Sequence, residues 1–282
     1  MSFQKWRKKS INNRYLGKLR IDIKYPVGLK RTFALIGGVM SEYVKHGFDI
    51  WDYVNEVEAV KENGYVYSFL KDGEEIRMFL PQYETDYIQH WIVNYADFFE
   101  YNELERLGKI IGTGKDILDI GANIGNHTLY FGKILKSHSI HAFEPVKDFY
   151  NILDKNVKLN QLEAVVETHN VGLGNESGRA KIKYFNPDEL GATQIEESDS
   201  GNIVLCRLDD FEFDNIDFVK IDVESFEYNL LLGAKKTLAK HSPIIFIEIF
   251  DELYDKVNRL LNELGYHQVE EISHTNYLYN KS

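Results

Sequence analysis

Residues 115–125, KDILDIGANIG, form a short apolar run that ends at Gly121 and leads into a glycine-containing turn. Residues 124–136, IGNHTLYFGKILK, have the apolar spacing of a helix, and residues 139–145, SIHAFEP, resemble a second strand. A strand, a glycine turn, a helix and a second strand in this order are typical of one unit of a parallel sheet. This stretch therefore predicts an α/β fold.

The same alternation continues to the end of the sequence. Further strands are predicted at residues 164–170, 217–223 and 243–250, and further helices at residues 147–160, 226–241 and 251–265. The last two strand-like runs, YHQVEEIS (266–273) and TNYLYN (275–280), have no helix between them and are predicted to pair as a hairpin at the sheet edge. We predict a doubly wound, Rossmann-like parallel sheet with antiparallel pairing at one edge.

The part of the chain before this sheet is predicted to be a separate extension. Residues 1–85 are basic and rich in aromatic side chains, with a strand-like run at 15–26 and a hairpin at 65–81 that turns at Asp72-Gly73. From residue 86 to about residue 111 the apolar spacing predicts a helix. We therefore place the domain boundary between residues 85 and 86.

Composition and charge exclude several classes of protein. The 282 residues are 44% hydrophobic and include one cysteine, so a disulfide framework is excluded. There is no apolar run of membrane-spanning length and no secretory signal pattern, and we expect a cytoplasmic protein. Residues 1–31 hold ten Lys or Arg and one acid, whereas the whole chain has a net charge of −11. The acidic body argues against nucleic acid as a partner, and the basic segment could contact an anionic membrane or a lipid-linked substrate.

Two features predict a ligand with a ribose at the end of the first strand of the main domain. Gly121 allows a tight turn and a close approach of the ligand, and Gly125 lets the helix start pack against the sheet. Glu144, at the end of the second strand, is placed to accept hydrogen bonds from both ribose hydroxyls. The spacing is G-x-x-x-G rather than G-x-G-x-x-G, and the loop opens with Asp119, a poor neighbour for a phosphate. S-adenosylmethionine fits this pattern better than a nicotinamide dinucleotide, since it has a ribose and two cationic groups but no phosphate.

The sequence resembles the FkbM family of S-adenosylmethionine-dependent methyltransferases over roughly residues 97–280. The resemblance rests on the ordered motifs FFEYNEL, LDIGANIGNHTLYFGK, AFEP, VGLGNESG, GATQI, RLDDF, FVKIDVESFEYNLLLGA, IIFIEI and TNYLY. The family usually has glycine at the position of Ser225. The resemblance implies a class I methyltransferase fold with seven strands, the last antiparallel, and O-methylation, often of sugars in polyketides, glycolipids or surface polysaccharides.

The resemblance also implies a role for each matching residue around S-adenosylmethionine. Glu144 would hold the ribose, and Glu100 would close over the methionine end. The other residues fall into two groups, one for the amino-acid part of the cofactor (Asp119, Gly121, Asn123 and Gly125) and one near the adenine (Asn170 and Val171).

Transfer of a methyl group to a hydroxyl requires a group that removes the proton of the alcohol, or a metal ion. Asp222 and Glu224 follow the fourth strand, and Glu248 lies near the end of the fifth, so these three carboxylates are the predicted catalytic residues. His127 and His274 are weaker candidates. No His and carboxylate cluster is dense enough in the sequence to predict a metal site.

We therefore expect an O-methyltransferase that acts on a sugar hydroxyl of a surface glycan or of its nucleotide- or lipid-linked precursor, in polysaccharide biosynthesis. One alternative is a catalytically silent ligand-binding or scaffolding domain with the same fold. The other is an NAD-dependent oxidoreductase, which the glycine spacing disfavours.

Overall fold

The structure, a computed structural model, describes residues 59–281. The basic segment 1–31 and the strand predicted at residues 15–26 lie outside the described residues. The strands are β1 Val66–Lys71, β2 Glu74–Phe79, β3 Asp116–Ile120, β4 Ser139–Phe143, β5 Val166–His169, β6 Gly172–Leu173, β7 Gly178–Tyr184, β8 Gln194–Glu197, β9 Ile203–Cys206, β10 Phe218–Ile221, β11 Ile244–Glu248, β12 Tyr266–Ser273 and β13 Asn276–Lys281. Within residues 86–281 the helices are α1 Tyr87–Tyr95, α2 Tyr101–Ile111, α3 Asn126–Lys133, α4 Lys147–Leu159, α5 Glu227–Leu232, α6 Lys235–His241 and α7 Asp251–Glu263.

A seven-stranded sheet in the order β12-β13-β11-β10-β3-β4-β5 forms the centre of the fold. The strands from β11 to β5 are parallel, whereas β13 pairs antiparallel with both β11 and β12. This strand order confirms the predicted α/β sheet with a terminal hairpin, and it is the order of a class I methyltransferase. Strand order reverses between β3 and β10, so the carboxyl ends of these strands are where a ligand is expected to bind.

Apolar side chains cover both faces of this sheet, which explains why its central strands are almost continuously hydrophobic. Ile117 and Phe218 belong to the cluster on the face covered by α3 and α4. Leu118 and Val219 belong to the cluster on the opposite face, which includes apolar residues of α5, α6 and α7. Within residues 59–281, no helix combines the length and apolar character required to cross a membrane.

The predicted hairpin is confirmed and packs directly on the main sheet domain. β1 and β2 pair antiparallel around Asp72 and Gly73, which both have the positive φ of a tight hairpin turn. The backbone amide of Arg77 donates to Asn160 Oδ1 at 3.0 Å, and Ile76 and Met78 are buried in the same cluster as α3 and α4. The domain boundary at residues 85 and 86 stays a prediction.

The helix predicted from residue 86 to residue 111 is wrong in one respect, because the structure divides it into α1 and α2. Ala96 and Glu100 adopt left-handed conformations, with φ of 48° and 58°. The carboxylate of Asp97 accepts a hydrogen bond from the amide of Phe98 and forms an ion pair with Lys71. These side-chain contacts stabilise the segment between the two helices. The break places Glu100 at the start of α2.

The helix predicted over residues 226–241 is also divided, into α5 and α6. A Cβ on Gly233 would lie 2.0 Å from the carbonyl oxygen of Gly174, so the chain can approach this closely only at a glycine. The carboxylate of Asp209 accepts the amide of Thr237 at 2.8 Å, which satisfies a donor at the start of α6.

A second sheet, with strand order β6-β9-β7-β8, was not predicted. Its first strand follows β5 in the chain. The connection from β7 to β8 runs into the GATQI segment, residues 191–195, which lies over the carboxyl edge of the main sheet. Asp86 anchors this segment, since its carboxylate accepts the amides of both Gln89 in α1 and Leu190, at 3.0 and 2.9 Å. Residues before the main domain's first strand therefore position the segment that covers the candidate site.

Candidate active site

A cavity of about 610 Å³, partly open to solvent, lies at the carboxyl ends of β3, β4 and β10. It is covered on one side by Leu190, Gly191 and Thr193 of the second sheet's connecting segment. The predicted site residues that line it are Gly121, Asn123, Glu144, Val171, Asp222 and Glu224. Three of these are carboxylic acids, and no Lys or Arg lines the cavity among the residues that the structure describes.

The loop after β3 requires glycine at its first position. Gly121 has a φ of +80°, and a Cβ there would lie only 1.7 Å from the carbonyl oxygen of Asp222. The amides of Gly121 and Ala122 both donate to the carbonyl of Phe143 at 3.0 Å, which holds the loop against β4. Gly125, with a φ of +91°, precedes α3 and packs against Leu153, so it shapes the loop without lining the cavity.

Glu144 is buried at the end of β4 and organises the backbone around it. Its Oε2 accepts the amide of Asn123 at 2.9 Å, and its Oε1 accepts the amide of Val146 at 2.8 Å. Burial raises the pKa of Glu144 to about 7, and these two hydrogen bonds act in the opposite direction. Each carboxylate oxygen has further acceptor capacity, so both can also accept from ligand hydroxyls.

The donors and acceptors of the cavity fit S-adenosylmethionine. Asn123 Oδ1 is a buried acceptor that has no hydrogen-bond partner, and a buried polar atom is usually satisfied. The cofactor's ammonium group would satisfy it, and the ribose hydroxyls would donate to Glu144. A pyrophosphate would instead lie among carboxylates, and no Lys or Arg of the described residues lines the cavity to offset its charge.

Two other predicted cofactor residues lie behind the cavity rather than in its wall. Asp119 is fully buried, and its Oδ2 accepts a hydrogen bond from the Thr128 hydroxyl at 2.5 Å. Asn170 donates through Nδ2 to the carbonyl of Glu144 at 2.9 Å and thereby fixes the end of β4. Their direct contact with the cofactor stays a prediction, since neither lines the cavity.

Lys220 is a further candidate functional residue, which was not predicted from the sequence. It is 3% exposed, and its Nζ donates to the carbonyl of Gly121 at 2.8 Å. The same Nζ lies 3.5 Å from Asp119 Oδ1 and 3.3 Å from Asp222 Oδ2. One ammonium group therefore joins the cofactor loop, the strand beneath it and the first predicted catalytic carboxylate. A lysine within the apolar run DFVKIDV was the available signal, because a buried charge requires partners.

The three predicted catalytic carboxylates are brought together. Asp222 and Glu224 line the cavity, whereas Glu248 does not line it but interacts with Asp222. Burial, and then the charges of Asp222 and Glu248, raise the pKa of Glu224 to about 8. Burial and Asp222 raise the pKa of Glu248 to about 7, although the Thr275 hydroxyl donates to its Oε1 at 2.8 Å.

Glu100 lies beside this group rather than in the cavity wall. Burial, and then the charges of Glu103 and Asp222, raise the pKa of Glu100 to about 8. His127 Nε2 is 3.8 Å from Glu100 Oε2, and burial holds the pKa of His127 well below its usual value. The neutral imidazole that this implies is suited to accepting or relaying a hydrogen bond next to Glu100.

The loop after β10 keeps a glycine-like conformation although Ser225 occupies the position. Glu224 and Ser225 have φ of 51° and 76°, so two consecutive non-glycine residues are left-handed. A left-handed residue other than glycine costs about 1–2 kcal/mol. The amide of Ser225 donates to Glu227 Oε1 at 2.9 Å, which helps to hold this turn beside the cavity.

Replacing Ser225 by glycine should therefore stabilise the protein. Ser225→Gly removes the strain, and the greater freedom of glycine in the unfolded chain offsets part of the gain, so the free energy of unfolding should rise by about 0.5–1 kcal/mol. Ser225→Val should lower it, because a β-branched side chain is disfavoured at this φ. Urea unfolding of the three proteins measures both changes. A less stable glycine variant would show that the hydroxyl of Ser225 contributes more than the backbone strain costs.

Comparison with known proteins gives a family assignment. The sequence profile of the Methyltransferase FkbM domain matches residues 119–267, slightly more than half of the chain. Methyltransferase sdnD of Sordaria araneosa is 25% identical over 188 residues, which cover 53% of this chain and 73% of that protein. Methyltransferase 1 of Beauveria bassiana is 26% identical over 144 residues, which cover 42% of this chain but only 57% of that protein.

Among solved structures, Methyltransferase FkbM from Methylobacillus flagellatus KT matches with a TM-score of 0.44 and 20% identity, covering 59% of this chain and 43% of that one. The chain thus spans less than two thirds of this structure and of the Beauveria bassiana relative. The profile match includes the loop after β3, Glu144 and the three predicted catalytic carboxylates. The chain therefore belongs to the FkbM methyltransferase family, whose members share the class I fold of S-adenosylmethionine-dependent methyltransferases.

Proposed function

We propose that the protein is an S-adenosylmethionine-dependent O-methyltransferase of the cytoplasm. Its proposed acceptor is a sugar hydroxyl of a surface glycan or of the nucleotide- or lipid-linked precursor. The proposal rests on a cavity that is lined both by Glu144, which is suited to a ribose, and by Asp222 and Glu224, which are suited to removing a proton. No Lys or Arg of the described residues lines this cavity, which favours a cationic cofactor over a dinucleotide.

The cofactor, when bound, supplies a methyl group on a sulfonium, which is a good leaving group. Glu144 would bind the ribose, and Asn123 Oδ1 would bind the ammonium. The position of Val171 in the cavity wall favours an apolar contact with the adenine. These residues would orient the cofactor, and positioning of the reacting groups accounts for a large part of such a rate enhancement.

On the acceptor side, Asp222 and Glu224 are the proposed proton acceptors. A general base works best when its pKa is close to the working pH, and the raised pKa of Glu224, about 8, meets that condition. Asp222 is oriented by Lys220 on one side and by Glu248 on the other. Glu248 is proposed to act through Asp222, since it does not line the cavity.

The charge of this recess favours a neutral hydroxyl as the reacting group. Asp222 and Glu248 interact electrostatically with both Glu224 and Glu100, and a phosphate among these acidic groups would be repelled. The phosphates of a nucleotide- or lipid-linked precursor would therefore have to lie outside the recess. The basic segment 1–31 is proposed to meet such a phosphate or an anionic membrane, and it lies outside the described residues.

Methyl transfer from labelled S-adenosylmethionine to a panel of nucleotide sugars and glycan fragments tests the proposal. The product should carry the label on a sugar oxygen, which mass spectrometry of the methylated fragment would locate. Transfer to nitrogen or carbon acceptors alone would overturn O-methylation. Binding of the cofactor without transfer to any acceptor class would favour a silent ligand-binding domain.

Removing the Glu144 carboxylate should weaken cofactor binding. Hydrogen bonds to a charged group contribute about 1.5–3 kcal/mol, so Glu144→Ala should raise the Kd for S-adenosylhomocysteine about ten- to hundredfold. Calorimetric titration measures this change. Glu163→Gln, at an exposed position between α4 and β5, is a matched control that should bind as the parent does. An unchanged Kd in Glu144→Ala would show that the ribose is held elsewhere.

A further inference from the structure

Two histidines and a glutamate meet on one face of the central sheet, away from the proposed active site. His141 lies on β4, and Glu167 and His169 lie on β5. In the parallel register His141 is opposite Glu167. Since side chains alternate between the two faces of a sheet, His169 points to the same face as Glu167. None of the three lines the cofactor cavity.

The ligand atoms of these three residues, one per residue, lie within 4.8 Å of one another. His141 Nδ1 is 3.2 Å from His169 Nε2 and 3.5 Å from Glu167 Oε2. His169 Nε2 is 3.9 Å from Glu167 Oε1. Zinc bound at 2.0–2.2 Å to nitrogen and oxygen ligands separates neighbouring ligand atoms by roughly 3.3 Å. The two imidazole nitrogens therefore already have nearly the required spacing, and the Glu167 carboxylate lies within 4 Å of each of them.

The surroundings hold both imidazoles in place. His169 stacks on Phe143 with ring centroids 4.5 Å apart, and His141 contacts the edge of Phe213 at 4.9 Å. Both histidines are mostly buried, whereas the side chain of Glu167 is 67% exposed and leaves a path to solvent.

Burial lowers the pKa of both histidines, against the opposing charge of Glu167 and, for His141, also of Asp116. The neutral imidazole is the form that binds a metal.

We propose that His141, Glu167 and His169 bind a zinc ion, with solvent as the fourth ligand. Two nitrogen ligands and one carboxylate suit Zn²⁺ among the metals common in proteins. The ion would join edge strand β5 to β4. It would also hold His169 against Phe143, on which His169 stacks, and Phe143 in turn lines the cofactor cavity.

Titration of the tag-free, chelator-treated full chain with Zn²⁺ and with Co²⁺ tests the site. One ion should bind per chain, and Co²⁺ should give the intense visible absorption of a tetrahedral complex. His141→Gln and His169→Gln should each weaken binding more than a hundredfold, and Glu167→Gln should weaken it about tenfold or more. His138→Gln is the matched control, because His138 also contacts a carboxylate, that of Asp116, but lies outside the cluster.

Absence of saturable Zn²⁺ binding to the parent would overturn the proposal and leave a hydrogen bond between the rings. Binding that is equal in the parent and in the cluster variants would place the ion elsewhere and would also overturn it. If the histidine variants fail to fold, Glu167→Gln still decides the matter, since Glu167 is exposed. These readouts need no methyl transfer, so they are independent of the proposed function.

Discussion

Asp222→Asn should lower the turnover of methyl transfer by about two to four orders of magnitude, which is the usual contribution of a positioned acid–base group. Asp222 lines the cavity, its Oδ2 lies 3.3 Å from Lys220 Nζ, and it interacts with Glu248, whose pKa it raises. Asparagine keeps the size of the side chain but can no longer take up a proton. The rate is measured with saturating cofactor and the acceptor found in the panel.

Two measurements separate this effect from a loss of structure. The Kd for S-adenosylhomocysteine should change much less than the rate, because Glu144 and Asn123 are intact. Glu248→Gln is the comparison variant, and we expect a smaller loss because Glu248 does not line the cavity and is proposed to act through Asp222. An unchanged rate in Asp222→Asn would move the base to Glu224. A loss restored only by added divalent cations would favour metal assistance.

Lys220→Met should lower the free energy of unfolding by about 3–5 kcal/mol, the cost of leaving a buried charge without its partner. Lys220 is 3% exposed, and its Nζ lies 3.5 Å from Asp119, which is fully buried. Methionine keeps most of the volume of the side chain, so loss of the charge dominates the effect. Urea unfolding of the parent and the variant measures it.

A double variant provides the control for Lys220. In Asp119→Asn combined with Lys220→Met both charges are absent, so much of the lost stability should return. Thr128, whose hydroxyl donates to Asp119, can also donate to asparagine. A loss below about 1 kcal/mol in Lys220→Met would contradict the role that we assign to this ammonium group.

The main sheet and the centre of the cofactor site were predictable because they depend on local patterns. Gly121 and Glu144 each follow a predicted strand, which places them at the carboxyl edge of the sheet. In the structure both residues line the cavity at this edge. Asp222 and Glu224 were predictable for the same reason, since they follow a buried strand. The parallel register places Lys220 opposite Asp119, a contact that only the pairing of two distant strands creates.

Features that depend on contacts between distant segments were not predictable. The segment between α1 and α2 contains no glycine or proline that would have indicated a break, although Ala96 and Glu100 are left-handed there. The second sheet was missed because its strands are short or mostly polar, β6 having only two residues. The cluster of His141, Glu167 and His169 appears only when β4 and β5 pair, since 26 positions separate the first two in the sequence.

We expect the cavity beside Glu144 to bind S-adenosylmethionine rather than a dinucleotide. Calorimetric titration of the full chain with S-adenosylhomocysteine and, separately, with NAD tests this most directly. The structure predicts saturable binding of S-adenosylhomocysteine with one site per chain and no saturable binding of NAD. Saturable binding of NAD together with no binding of S-adenosylhomocysteine would contradict the assignment of this cavity to S-adenosylmethionine.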